Sequence, residues 1–150
     1  MEDLYQNTHA VCCMLANERT KEVIDVVLNA FIPDHEKINH DYTYPPGKPD
    51  SHFSSSDEMI KFFIDNPKAE QNFYWHQSDL GANPHQIVIG ALFTSDGCLI
   101  ISMTIAADGK IEGKKFELLK SILKSDVGVI SYNELPSFQD GRDFIKRYQT

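Results

Sequence analysis

The stretch from Gln86 to Ala106, QIVIGALFTSDGCLIISMTIA, consists of two apolar runs joined at Ser95-Asp96-Gly97, and it constrains the fold more than any other part of the chain. Asp-Gly accepts the positive φ angles of a tight hairpin turn, and the flanking Ile, Val, Phe and Thr favour strands. A hairpin here belongs at the centre of an antiparallel sheet. Both faces of each run are largely apolar, so each strand needs cover on both sides or a neighbour wrapped over it.

The remaining segments supply that cover. From Thr20 to Phe31, residues Val23, Ile24, Val27, Leu28 and Phe31 recur at helical spacing until Pro33 stops the pattern. Upstream, His9 to Leu15 holds too few β-branched residues to decide between a strand and the first turns of that helix. Residues 33 to 55 contain four prolines and one glycine without either period, and read as a long ordered loop. A second helix starts near Ser56, with Ser55 and Glu58 as a capping box and Met59, Ile60, Phe62 and Phe63 as its buried stripe, and ends at Asn66-Pro67. Asn72 to Gln77 is an aromatic strand that leads through a loop at Asp79 to Pro84 into the hairpin. Beyond Asp108-Gly109, Phe116, Leu119, Ile122 and Leu123 share one face of a helix over Lys114 to Leu123. Val127 to Tyr132 is a fourth strand, and a short helix from Gln139 to Tyr148, behind Ser137 and Asp140, closes the chain. The order α, α, β, β, β, α, β, α predicts a single α+β domain over residues 1–150, an antiparallel sheet of about four strands packed by helices.

Composition narrows the function classes. With 150 residues, 41% of them hydrophobic, the chain can bury a core without disulfide or metal staples. Its formal charge of −8 repels nucleic-acid phosphate and anionic membrane surfaces, so neither is an expected partner. Cys12, Cys13 and Cys98 are odd in number and two are adjacent, which writes no disulfide framework and favours a reducing compartment. The early acids of the N-terminus do not form a signal peptide, and no apolar run approaches the ~20 residues that span a bilayer. A soluble cytoplasmic protein is expected.

Catalytic chemistry finds little support in these residues. Asp34, His35, Glu36, His40, Asp41 and His52 crowd the long loop, but no HExxH or paired-cysteine spacing accompanies them, so no metal and no cofactor are expected. Cys12 and Cys13 lie in an apolar stretch and Cys98 opens a strand, which suits packing better than nucleophilic attack. No G-x-S-x-G elbow occurs, and Pro45-Pro46-Gly47-Lys48 lacks the spacing of a phosphate cradle. The strand Phe73-Tyr74-Trp75-His76 is more informative, because alternate residues face opposite sides. Either Phe73 and Trp75 or Tyr74 and His76 must turn from the core unless helices cover both.

Tyr74-Trp75, the strand that ends in Thr94-Ser95-Asp96-Gly97, and Glu134-Leu135-Pro136 before a terminal helix form, in a small acidic chain, a pattern over roughly residues 56 to 148. This pattern resembles the immunity proteins that bacteria encode beside polymorphic or contact-dependent toxins. The resemblance implies a non-enzymatic inhibitor that binds a cognate toxin domain tightly in the cytoplasm, and the −8 charge adds the expectation that this domain has a basic surface. The expected partner-binding residues are Asp34, Glu36, Asp41, Tyr42, Tyr44 and Asp50 of the long loop, with Tyr74, His76 and Asp79, because acids steer a basic partner and aromatics hold it. Two alternatives remain: a small enzyme or ligand-binding domain with His35, His40 or His76 as base, and an adaptor subunit of an oligomer.

Overall fold

The hairpin forms where its sequence places it, and it occupies the middle of the sheet. The computed structural model describes residues 8–37, 56–77 and 85–149. In chain order the elements are β1 (His9–Leu15), α1 (Lys21–Phe31), β2 (His35–Lys37), α2 (Ser56–Asp65), β3 (Gln71–Gln77), β4 (Val88–Phe93), β5 (Leu99–Ala106), α3 (Ile111–Leu123), β6 (Gly128–Tyr132) and α4 (Gly141–Tyr148). They build one α+β domain, a six-stranded sheet in the order β2-β3-β4-β5-β1-β6 with every neighbouring pair antiparallel. Gly97 closes the β4–β5 turn at φ +88°, a conformation that side chains with a Cβ rarely adopt.

Six strands replace the expected four. His9–Leu15 is β1, inserted between β5 and β6, and it is apolar on both faces because helices cover both. That double burial removes the polar/apolar alternation by which a strand is read from sequence. The other added strand, β2, lies inside the stretch read as a loop, and its three residues are too short to show a period. Helix α3 begins at Ile111 rather than Lys114, because the Asp108 carboxylate accepts hydrogen bonds from the Lys110 and Ile111 amides at 2.8 and 2.6 Å. The Ser55 capping box lies outside the described residues.

Side-chain alternation divides the interior in two. On one face Ala10, Cys12, Met14, Phe73, Trp75, Ile89, Phe93, Ile101 and Met103 meet Ile24 and Val27 of α1, Met59 and Phe63 of α2, and Leu119 and Leu123 of α3. Phe63, Phe73 and Phe93 stack and edge into one another with ring centroids 5.6 to 5.8 Å apart, and each such buried ring stabilises the fold by roughly 1.5–3 kcal/mol. On the other face Val11, Cys13, Leu92, Ile100 and Val127 pack against Phe144 of α4.

Two polar devices lock these layers together. Arg19, between β1 and α1, donates from Nη2 to the carbonyls of Phe63, Asn66 and Ala69 at 2.6, 3.3 and 3.1 Å, and from Nη1 to those of Thr94 and Cys98 at 2.8 and 3.0 Å. Its guanidinium also lies 5.0 Å from the Phe93 ring centroid. Helix α2 has no basic residue in its last turn, so Arg19 supplies the cation that its C-terminal carbonyls favour. Asp96, in the hairpin turn, accepts from the Gly141 and Arg142 amides at 2.9 and 2.8 Å and from the Thr94 hydroxyl at 2.6 Å, thereby capping α4. Desolvation works to raise its pKa, but these hydrogen bonds together outweigh it and hold the carboxyl below its ordinary value.

Arg19→Met should therefore lower stability in urea denaturation by about 3 kcal/mol, because five carbonyls lose donors while the aliphatic stem is kept. Arg19→Lys should recover less than half of that loss, since one ammonium cannot reach the same fan of acceptors. Because the folded pKa of Asp96 is depressed, its contribution is fully present above the ordinary carboxylate range and is lost as pH falls through the folded value. Thermal melts between pH 7 and pH 3 should show Asp96→Asn well below the parent at neutral pH, with the gap closing in acid.

Candidate interaction face

The alternation along β3 sends Phe73 and Trp75 into the helix-covered core and Tyr74 and His76 to the opposite face. There they enter cross-strand rows. One row runs Glu36, His76, Val88, Thr104, Val11, Ser131; the next runs Tyr74, Gly90, Ser102, Cys13, Val129. Toward the hairpin turn, Leu92 and Ile100 lie against Phe144 and Phe138. Away from the turn His76, Val88 and Thr104 are only half-buried and Glu36 is exposed, so this quarter of the sheet presents a mixed polar and apolar surface.

Local bonding orients these groups. His76 Nδ1 donates to the Gln77 carbonyl at 3.0 Å, since a carbonyl can only accept, and Nε2 faces Glu36 Oε2 at 3.9 Å. Tyr74 is hydrogen-bonded to Asn72; burial raises its pKa, with Cys13 adding to the shift, so it remains a neutral phenol. Its ring lies across Gly90, where a Cβ would stand 2.8 Å from Tyr74 Cε1 and collide with Ser102 Oγ. The glycine makes room for the ring.

Of the nine expected contact residues, the structure brings Asp34, Glu36, Tyr74 and His76 to the β2–β3 end of the sheet. The Asp34 amide donates to Gln77 Oε1 at 3.2 Å, which fixes the turn into β2 and leaves the Asp34 residue exposed. Asp41, Tyr42, Tyr44, Asp50 and Asp79 lie outside the described residues, as do His40 and His52. His35 points elsewhere, its Nδ1 donating to the Ile32 carbonyl at 3.0 Å. Sequence reading missed Val88, Gly90, Ser102 and Thr104, because only the strand register shows that they continue the rows of Tyr74 and His76.

Cys12, Cys13 and Glu112 are engaged in the core. Burial, with Glu112 beside Cys12 and Cys12 beside Cys13, pushes both thiols up to about 12, so at neutral pH they are packed thiols rather than thiolates. Burial likewise raises Cys98, and Asp96 adds to it. Glu112, only 2% exposed, accepts from the Asp108 and Gly109 amides at 3.2 and 3.0 Å and from the Tyr132 hydroxyl at 2.9 Å. This set satisfies the carboxylate and ties α3 to β6. Among the described residues, no group of three or more His, Cys, Asp or Glu is placed to hold a metal ion, and no helix is long and apolar enough to cross a membrane. A groove of about 570 Å³ runs between the β3–β4 ends and residues 135–139, lined by Glu70, Asn72, Phe93, Leu135 and Phe138 among others, with no histidine or cysteine.

Comparison with protein-family models, with curated proteins and with solved structures finds no match to this chain.

The Tyr74 platform can be tested without a partner. Gly90→Ala should cost about 1–3 kcal/mol in urea denaturation, because the new methyl must displace the ring or the Ser102 hydroxyl. Gly113→Ala, within α3 with nothing within 4 Å of the added Cβ, should instead stabilise by roughly 0.5–1 kcal/mol.

Proposed function

We propose that this chain is a non-enzymatic, cytoplasmic protein-binding domain of the immunity type, which neutralises a toxin domain by occupying a basic surface on it. The single observation that carries the reading is the convergence of Glu36, His76 and Tyr74 on the half-open end of the sheet, a rigid surface that joins an acid to amphipathic aromatic area. Such a surface suits recognition: charge steers the encounter, and partly desolvated aromatics slow the release. The −8 charge of the chain favours a basic partner. The three thiols are protonated at neutral pH, and the 570 Å³ groove offers no histidine, which weighs against thiol or histidine catalysis at those places. The partner's identity enters through the resemblance to immunity proteins alone.

Surface plasmon resonance against the product of the adjacent gene tests the reading, with circular dichroism to confirm folding. Glu36→Lys should mainly slow association and weaken its salt dependence, since rim charges steer encounter and are screened over about 8 Å at physiological ionic strength. Tyr74→Leu retains apolar packing but loses the phenol, and should speed dissociation by about 10-fold or more. If both variants bind as the parent does, this face is not the interface; if the parent itself does not bind, the immunity reading fails.

A further inference from the structure

The two edges of the sheet are built differently. The β2 edge is short and polar, three residues of sequence His-Glu-Lys, which is how natural sheets discourage further pairing. The β6 edge is five residues, Gly-Val-Ile-Ser-Tyr, with no charge, proline or bulge, and four of the five are half-buried. Its backbone direction follows from two bonds at its ends: the Leu15 amide donates to the Val127 carbonyl and the Asn133 amide to the His9 carbonyl, both at the β1 side. Strand groups alternate. Val129 and Ser131 therefore also face β1, and the Ile130 amide and carbonyl point off the sheet. Among the described residues no strand is paired along this edge; α4 packs on one face of β6, and Gln149 makes an isolated antiparallel bridge to Val127 just before the strand begins.

Charge selects among possible occupants. Asp126, which lies 4.0 Å from Lys120 Nζ and keeps its side chain 84% exposed, precedes the strand, and the exposed Glu134 follows it. A second copy pairing here would bring together two chains of charge −8 with acids at both strand ends. We propose that the outer edge of β6 takes an extended, lysine- or arginine-bearing segment of a partner protein as an added strand. Main-chain bonds to Ile130 supply the attachment, and Asp126 and Glu134 meet the cationic flanks. This edge is at the opposite end of the sheet from Glu36 and His76, so its test is independent of theirs.

The probe is an acetylated, amidated nonapeptide with paired lysines at each end and alternating valine and threonine between them, added to the full chain and followed by amide hydrogen exchange. In the free protein the Val129 and Ser131 amides should be protected and the Ile130 amide should exchange at least about 100-fold faster, as for an edge group open to solvent. Saturating peptide should slow Ile130 by about 10-fold or more. Of two peptides methylated at alternate backbone nitrogens, one of each parity, only one should retain this effect, because one set of amides faces β6 and the other faces away. An Ile130 amide already as slow as Ser131, one unchanged by peptide, or loss by both or neither methylated peptide overturns the proposal. Protection of Ile130 that grows with protein concentration alone would assign the edge to a second copy and overturns it equally.

Discussion

The structure turns on one guanidinium. Arg19 follows β1 by four residues, yet its donors end on the last turn of α2, on the chain that leaves that helix, and on both sides of the hairpin turn. Those carbonyls come from segments that are distant in sequence and have no shared secondary structure to align them. Asn66, Thr94 and Cys98 also accept from backbone amides, but the Phe63 carbonyl faces Pro67 where its helical donor would stand, and without Arg19 it would have to find water at the rim of an aromatic core, where Phe63 and Phe93 leave little space. Because Arg is planar and carries five N–H groups, a single side chain can serve all of them and lie over the Phe93 ring as well. The clamp ties the C-terminal end of α2 to the hairpin turn of the sheet.

How much of this was legible in the sequence depends on the range of the cause. The hairpin, α1 and the Phe73/Trp75 alternation arise from neighbouring residues, and each is recognisable from turn chemistry or period. Thr20 illustrates the same point: it caps α1 by accepting from the Val23 amide three residues on. β1 is ambiguous from sequence because a central strand covered on both faces has no alternation to read, and β2 reads as part of a loop because three residues carry no period. Arg19 and Glu112 are illegible for a different reason. Each looks like an ordinary surface charge until the partners, 44 to 79 residues away for Arg19 and 20 for the Tyr132–Glu112 bond, are brought beside it.

The candidate interaction face shows the same division. That Tyr74 and His76 would share a side was a matter of alternation, but that Gly90 and Ser102 would form the floor under Tyr74 required the register of β3 on β4 and β4 on β5. A glycine in a central strand weakens the strand unless something is gained; here the gain is a tyrosine laid across two neighbouring strands. The two sheet faces are thus committed differently, one mainly to the larger core, the other divided between the cover given by α4 and an open end that carries Glu36, His76 and Tyr74.

The cap that Asp96 places on α4 also fastens the end of the chain to the middle of the sheet. The carboxylate and the amides it receives are 45 residues apart, and the helix they secure is only eight residues long. A helix of that length has little persistence of its own. Two carboxylates hold its first turn, Asp140 from the helix's own start and Asp96 from the β4–β5 turn, so the last element of the chain is moored to the hairpin and the cover of the second sheet face depends on contacts made across 45 residues.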